Sequence, residues 1–250
     1  QQRYTEMILQ QVAVLLADHP APRILDVGCG TGHMLQLMIE RGFAVDAVNP
    51  SATLNQQVRA RLATMPRTDS KLFESDFESL PVSTSCRQQY DLLLFSESFQ
   101  YIPLPEIFAK SSMLLKPAGK LLICDFFKTD AHCDGAEGDR SFSGGHLLSL
   151  FYECVTATPF TLLHDEDLTP RISPNIALLD EWLTQRLLPA SRSIDGFLSG
   201  RYPRLTALIK WLAQRKLERL RYKYFSGHRS QAVFEKYKSY RLLVLQLESR

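Results

Sequence analysis

Short apolar runs alternate with amphipathic stretches along the first 170 residues, a pattern typical of parallel α/β sheets. The run Leu92–Phe95 is apolar at every position, which predicts a strand buried on both faces. Strands are predicted at Arg23–Val27, Ala44–Val48, Lys71–Ser75, Tyr90–Phe95, Lys120–Asp125, Phe160–His164 and Arg241–Leu247. Helices are predicted at Thr5–Ala17, His33–Arg41, Ser51–Ala63, Pro105–Leu115, Gly145–Thr156, Pro174–Leu188 and Pro203–Tyr222. The pattern therefore predicts an α/β fold with a mostly parallel seven-stranded sheet and helices on both faces.

The alternation stops after Pro170, and about seventy-five residues separate the last two predicted strands, too many for a hairpin loop. Within this segment, one apolar stripe is predicted from Leu205, Leu208, Ile209 and Leu212 at helical spacing. We therefore expect a single domain over residues 1–250. Its parts are a core at 1–170, a helical insertion or lid at 171–240, and a last strand at 241–250.

The composition is that of a folded protein: 45% of the 250 residues are apolar and 22% are charged. No apolar run approaches about 18 residues and no secretory signal is visible, so we expect no membrane span. The five cysteines are odd in number and form no C-x-x-C pair, which favours a reducing, cytoplasmic location. Because the chain lacks an initiator Met, we expect residues before Gln1.

Charge is unevenly distributed although the net charge is only +2. Residues 201–250 contain thirteen Lys or Arg and three Glu, whereas the first 200 residues are acidic overall. The favoured interpretation is that these cations solvate outer helix faces. The alternative is a surface for an anionic partner, such as an acidic carrier protein or nucleic acid.

The segment Asp26–Gly32 combines an apolar strand end with three glycines and leads into a helix. Glycines at such a turn let the backbone approach a ligand closely. The dinucleotide pattern G-x-G-x-x-G requires glycine at position 33, where His33 stands, and the Gly-Lys-Ser/Thr of a phosphate loop is absent. The segment therefore does not predict binding of NAD or a nucleoside triphosphate.

The D-x-G-x-G-x-G spacing resembles motif I of the class I S-adenosylmethionine-dependent methyltransferases. The resemblance continues in the family's order through Val45–Ser51, Ser75–Phe77, Tyr90–Tyr101 and Leu115–Lys120. It implies a Rossmann-like fold, S-adenosylmethionine as cofactor, and methyl transfer to a small molecule. Residues 1–170 are then the cofactor-binding core.

The resemblance also implies roles in holding the cofactor. Gly28, Gly30 and Gly32 are expected beneath its methionine part, and Asp26 near its amino group. At the end of the second strand, where the family has an acid that grips the ribose, this chain has Asn49, so we expect Asn49→Asp to tighten binding. The full set of expected cofactor residues is Asp26, Gly28, Cys29, Gly30, Gly32, Asn49, Pro50, Asp76, Phe77 and Ser96.

Two of these residues also have a purely structural interpretation. Asp76 is expected to accept from the adenine amino group and Phe77 to pack on the ring. The alternatives are a turn-forming Asp and a core Phe. Cys29 is explained by packing better than by reactivity.

The catalytic candidates follow the fourth and later strands, because ligands bind at the carboxyl ends of parallel strands. Glu97 and Ser98 match a Glu-Ser-x-x-His pattern of small-molecule methyltransferases, but Gln100 stands where the His is expected. We predict Glu97, buried between aromatic side chains, as the first candidate for a general base, His146 as the second, and Asp167 as a residue that orients one of them. A metal site from His132, Cys133, His146, His164 and Asp167 is not expected, since no pair has ligand spacing.

The predicted function is S-adenosylmethionine-dependent methylation of a small apolar or aromatic molecule, at oxygen first and carbon second. Nucleic-acid methylation is a rival, although no Asn-Pro-Pro-Tyr-like motif is present. A carrier-bound substrate and a protein that binds the cofactor without methyl transfer are further alternatives. Asn49 and Gln100 keep the last one open, and the sequence leaves the oligomeric state open.

Overall fold

The computed structural model describes residues 2–65, 69–81, 88–139, 141–182, 197–198, 200–225 and 230–248, and the end of the predicted helix Pro174–Leu188 lies outside them. The strands are β1 Arg23–Val27, β2 Ala44–Val48, β3 Leu72–Phe73, β4 Tyr90–Ser96, β5 Leu115–Lys128, β6 His146–Leu147, β7 Phe160–Asp167 and β8 Lys238–Leu247. The helices are α1 Gln2–Leu15, α2 His33–Glu40, α3 Ala52–Thr64, α4 Leu104–Leu114, α5 Leu148–Thr156, α6 Thr169–Trp182, α7 Pro203–Phe225 and α8 Gln231–Tyr237. A 3-10 turn spans Phe99–Tyr101.

The strands form one sheet in the order β3-β2-β1-β4-β5-β8-β7, and β6 pairs with β5. β1 lies parallel to β2 and β4, with Val27 opposite both Val48 and Phe95. β2 pairs parallel with β3, and β4 with β5. The predicted α/β sheet is confirmed, and its order brings the carboxyl ends of β1, β2 and β4 to one edge.

Several elements differ from their predicted boundaries: α6 begins at Thr169 rather than Pro174, and β8 at Lys238 rather than Arg241. Two further differences have a visible cause in the backbone. β5 begins at Leu115 rather than Lys120, because its first part pairs with Tyr90 and then shifts register around Ala118, which has φ +61°. His146 was expected to open a helix, but it forms a short strand after Gly144 and Gly145, both with φ above +80°. In both segments, the residues that are typical of turns lie at backbone irregularities next to a strand.

The amino ends of the strands are joined by the buried carboxylate of Asp46. It accepts hydrogen bonds from Arg23 Nε at 2.9 Å, Tyr90 Oη at 2.8 Å and the Lys71 backbone N–H at 2.8 Å. The guanidinium also forms an ion pair with it, so the buried charge is compensated. Asp46 therefore stabilises the edge of the sheet opposite the glycine turn.

The chain divides into two compact units. The first contains Gln1–Phe126, Gly145–Glu166 and Arg241–Arg250, and the second contains Phe127–Gly144 and Asp167–Tyr240. Residues 127–144 thus group with the segment predicted as an insertion, although the sequence placed them in the core. Within the described residues, no helix has the length and apolar character needed to cross a bilayer. The assignment of 171–240 as a lid stays a prediction.

Candidate functional site

A cleft of about 330 Å³ lies in the first unit at the carboxyl ends of β1, β2 and β4. Its lining includes the predicted cofactor residues Gly28, Gly30, Asn49, Pro50, Asp76 and Phe77, and the predicted base Glu97. Other predicted residues are not part of the lining: Asp26, Cys29, Gly32, Ser96, His146 and Asp167. Ser98, Tyr101 and Ile102 line it as well and were not predicted to bind the cofactor.

Gly28 is where the glycine turn meets the segment after β4. Its φ is +75°, and a Cβ there would lie 2.5 Å from Ser98 Cβ, closer than real atoms approach. The Ser98 hydroxyl donates a short hydrogen bond to the Val27 carbonyl. Glycine at this position is therefore required by a protein contact as well as by the turn.

Gly30 and Gly32 differ in what surrounds them. A Cβ on Gly30, at φ +56°, would meet nothing within 4 Å, so the space beside it is open to a ligand. A Cβ on Gly32 would instead lie 3.2 Å from Val58 Cγ2 of α3. We infer that Gly32 serves helix packing, whereas the sequence grouped it with the cofactor glycines.

Asp26 lies behind the turn and is 2% exposed. Its Oδ2 has no hydrogen-bond partner, and burial raises the pKa of the carboxyl to about 7. Burial and the charge of Asp26 also raise the pKa of the Cys29 thiol, which disfavours the nucleophilic thiolate. A hydrogen-bond donor or a cation at Oδ2 would stabilise the Asp26 carboxylate.

Asn49 acts as a donor to the glycine turn. Its Nδ2 donates to the Gly30 carbonyl at 3.4 Å and to Asn55 Oδ1 at 2.8 Å, and Asn55 donates back to the Asn49 carbonyl. A carboxylate cannot make either of the first two bonds. The structure thus explains why an amide rather than a carboxylate stands at position 49, which the sequence alone did not explain.

Asp76 and Phe77 have the structural contacts that were expected as alternatives to cofactor contact. Asp76 Oδ1 accepts from the Ser79 backbone N–H at 2.8 Å. Hydrogen bonding to the Ser79 side chain, and then to this N–H, lowers the pKa of the carboxyl. Phe77 is 2% exposed and packs edge-on against Phe95 at 5.5 Å. Both residues also line the cleft, so their structural contacts do not preclude contact with a ligand.

Glu97 differs from its predicted environment. Its side chain is exposed, Phe99 is directed into the core with 0% exposure, and Tyr101 is 77% exposed. The expected burial between these two aromatic rings is therefore wrong. The cause is the backbone: Glu97 has φ +58° and donates its N–H to the Cys124 carbonyl at 2.9 Å, which turns the side chain outward.

The turn that follows Glu97 is fixed by Asp125, which the sequence did not assign to a role. Asp125 is fully buried and accepts from the Gln100 backbone N–H at 3.0 Å, from Gln100 Nε2 at 3.0 Å, and from the Phe126 N–H. Burial raises the pKa of this carboxyl to about 6. Gln100 therefore occupies its expected position, and its amide anchors the turn.

The remaining predicted residues have specific protein partners. His146 Nε2 lies 3.2 Å from the Phe99 carbonyl, and Asp167 accepts from the Thr169 N–H at 2.8 Å at the start of α6. Ser96 Oγ lies 2.7 Å from the Tyr4 hydroxyl, which brings α1 to this edge. In the described part of the chain, no group of three or more His, Cys, Asp or Glu is arranged to hold a metal.

The charged side chains of the described cleft lining are Asp76, Glu78 and Glu97, and all of them are acidic. Neither Lys nor Arg lines the cleft among these residues, so a phosphate would meet no countercharge. With Asp26 behind the turn, the local field favours a cation. A sulfonium compound that carries an ammonium group satisfies this requirement.

Comparison with known proteins agrees with this chemistry. A profile of the family described as "Methyltransferase domain" matches residues 1–221. The chain belongs to the methyltransferase domain family. Its resemblance to methyltransferases is thereby confirmed. A malonyl-[acyl-carrier protein] O-methyltransferase of Anoxybacillus flavithermus is 26% identical over 66% of this chain, and the chain covers 55% of that protein.

Two solved structures illustrate the likeness of the fold. A geranyl diphosphate C-methyltransferase from Streptomyces coelicolor, in complex with Mg²⁺, geranyl diphosphate and S-adenosyl-L-homocysteine, has a TM-score of 0.63 at 16% identity and covers 95% of this chain and 79% of its own. The [4+2]-cyclase SpnF has a TM-score of 0.61 at 19% identity, with coverage of 98% and 81%. The shared fold thus includes a protein named for another reaction.

We expect Asp26→Asn to stabilise the methyltransferase domain at pH 8 and to stabilise it clearly less at pH 5. Because the folded-state pKa is raised to about 7, the wild-type carboxyl reduces stability as pH rises from about 4 through 7. At about 1.4 kcal/mol per pKa unit, the gain at pH 8 has an upper bound of about 4 kcal/mol. Urea unfolding at both pH values measures it.

The matched control is Asp76→Asn. Its pKa is lowered in the folded state, so the carboxylate adds stability above the unfolded-state pKa, and the variant should lose stability at pH 8. If the free energy of unfolding depended on pH in the same way for wild type and Asp26→Asn, the raised pKa assigned to Asp26 would be contradicted.

We expect Asn49→Asp to weaken S-adenosylhomocysteine binding by about tenfold, opposite to the expectation from sequence. The substitution removes the donor to the Gly30 carbonyl and places a negative charge beside it. Titration calorimetry measures the affinity, with Asn55→Asp as a control that alters the same pair but leaves the bond to Gly30. Tighter binding by Asn49→Asp would show that the ribose contact outweighs the support of the turn.

Proposed function

We propose that this chain transfers a methyl group from S-adenosylmethionine to a small apolar or aromatic molecule, at oxygen first and carbon second. The observation that carries the proposal is the unpartnered carboxyl of Asp26 behind a turn in which Gly30 leaves open space. The acid-lined cleft and the family membership support it. The S-adenosylhomocysteine bound to the geranyl diphosphate enzyme supports the choice of cofactor.

Each part of the cofactor has a proposed place. The turn with Gly28 and Gly30 contacts the methionine part, and Asp26 attracts its ammonium group directly or through water. Asn49 and Pro50 lie beside the ribose, and the exposed carboxylate of Asp76 accepts from the adenine amino group. Cys29, Gly32 and Ser96, which do not line the cleft, act by packing the surrounding loops.

The bound cofactor supplies an activated methyl group on a sulfonium centre. The residues of the chain then have to align the acceptor for in-line displacement and exclude water. Beside the charged part of the cleft, Tyr101 offers exposed aromatic surface, and the buried side chains of Ile102 and Phe77 line the same region. This surface supports an acceptor with an apolar or aromatic body, for which Tyr101 is the most exposed contact.

Proton removal from the acceptor is assigned to Glu97, whose exposed carboxylate lines the cleft. Its left-handed backbone conformation, held by the bond to Cys124, keeps that side chain out of the core. His146 is the second candidate, with its Nε2 near the Phe99 carbonyl, and Asp167 is retained as a candidate orienting residue. Cytoplasmic action and the covering of the acceptor by segment 171–240 stay predictions.

A carrier-bound acceptor is the second candidate function. The relative from Anoxybacillus flavithermus is named for a malonyl group on acyl-carrier protein, and residues 201–250 are strongly basic. The chain spans about half the length of the curated relatives that it matches, so their activities do not transfer directly. Nucleic-acid methylation and cofactor binding without methyl transfer are the remaining rivals. The second is kept open because SpnF, which shares the fold, is named a [4+2]-cyclase.

Cofactor binding is tested by calorimetry with S-adenosylmethionine, S-adenosylhomocysteine and NAD. We expect both sulfur nucleosides to bind and NAD to give no heat, because the described lining has no cation for a diphosphate. Asp26→Asn should weaken the binding of both sulfur nucleosides by about tenfold or more, since it removes the charge opposite the ammonium group. Absence of binding by either nucleoside in a folded sample would overturn the proposal.

We expect Glu97→Gln to reduce methyl transfer by about 10²–10⁴-fold while S-adenosylhomocysteine affinity is retained, as the loss of a general base predicts. Turnover is measured with methyl-labelled cofactor and a small-molecule extract that contains the acceptor. Glu78→Gln, in the same cleft, is the matched control and should keep its activity. Near-wild-type turnover by Glu97→Gln would contradict the assignment of Glu97, and near-wild-type turnover by His146→Asn as well would leave alignment alone as the source of catalysis.

A further inference from the structure

Helix α7 exposes large apolar side chains to solvent. Leu205, Ile209, Trp211 and Leu212 are each more than half exposed, the last two at 70%. Large apolar side chains in the core of this protein are below 10% exposed. Exposed side chains of this size leave apolar surface in contact with water, and a binding partner would bury that surface.

The same helix carries a strong positive charge. Its 23 residues contain seven Lys or Arg and a single acidic residue, Glu218. The described cations Arg204, Arg215 and Lys216 are exposed to solvent. Because a second copy of α7 would bring the same charge, pairing of two such helices is electrostatically unfavourable.

The apolar and basic positions follow one another along the helix. Leu205, Ile209 and Leu212 share one stripe, and Lys216 continues that stripe one turn later. Trp211 points about 100° away from Leu212, so exposed apolar groups occupy more than one side of the helix. A folded acidic carrier protein would cover one side, whereas the interfacial layer of a bilayer surrounds a helix that lies in it.

We propose that α7 binds the surface of an anionic lipid bilayer. In this arrangement Leu205, Ile209 and Leu212 enter the boundary between headgroups and acyl chains, and Trp211 lies at the headgroup level. Arg215 and Lys216 contact lipid phosphates. At 23 residues the helix is about 35 Å long, and it is too charged to cross the bilayer. The proposal is independent of the methyl-transfer proposal.

The test is sedimentation of the full chain with vesicles of equal parts phosphatidylglycerol and phosphatidylcholine, beside pure phosphatidylcholine vesicles. We expect affinity for the anionic vesicles to be about tenfold or more higher, and to fall as salt is added. The double variants Trp211→Ser/Leu212→Ser and Arg215→Glu/Lys216→Glu should each lose about tenfold or more of this affinity.

Matched controls separate α7 from general surface effects. Val14→Ser removes an apolar side chain of α1 that is 72% exposed, and Arg3→Glu reverses an exposed charge; both should bind vesicles like wild type. Circular dichroism verifies the fold of every variant. Calorimetry with S-adenosylhomocysteine reports the cofactor site separately, so failure of one proposal is distinguishable from failure of the other.

Four results would overturn the proposal. They are absence of binding to anionic vesicles, equal affinity for neutral vesicles, wild-type affinity of both folded α7 variants, and a wild-type dimer that the Trp211→Ser/Leu212→Ser variant converts to monomer. Binding of an acidic acyl-carrier protein that both variants abolish, without vesicle binding, would assign the surface to that partner instead.

Discussion

The cleft depends on one close approach, between the backbone at Gly28 and the side chain of Ser98. No other residue type fits at position 28, because its Cβ would overlap Ser98 Cβ, and the Ser98 hydroxyl then binds the end of β1. This contact brings the glycine turn and the segment after β4 together. Asn49 ties β2 to the same turn, and Asp125 ties in β5. The cleft is therefore built mainly from backbone positions that side chains hold in place.

The buried carboxylates at the two ends of the central strands differ in whether their charge is compensated by the protein. At the amino end, Asp46 accepts bonds from three elements and its charge is compensated by Arg23. At the carboxyl end, Asp26 keeps an oxygen without a partner. The first arrangement stabilises the sheet, and the second leaves a group whose charge is unfavourable until a cation arrives. The carboxylate that stabilises the sheet and the carboxylate that is available to a ligand therefore lie toward opposite ends of neighbouring strands, each only five residues long.

Sequence reasoning predicted the sheet because its strands are continuous apolar runs, and the order of the motifs located Gly28, Gly30, Asn49 and Phe77 at the cleft. It could not assign Gly32 to helix packing, because Val58 is distant in the sequence. A glycine that packs against a helix and a glycine that contacts a ligand also look the same in a sequence. The exposure of Glu97 depends on a single positive φ that no propensity predicts for Glu. Both features depend on long-range packing or local backbone geometry, neither of which hydrophobic periodicity encodes.

The unpartnered carboxyl of Asp26 has a consequence for the lifetime of the protein in the cell. A ligand that binds only the folded state shifts the unfolding equilibrium toward that state, and a ligand cation that also compensates Asp26 relieves a cost within the fold. Chain without cofactor then unfolds more often and is exposed more often to proteases. The steady-state amount of this methyltransferase would accordingly follow the supply of its cofactor, without any change in synthesis.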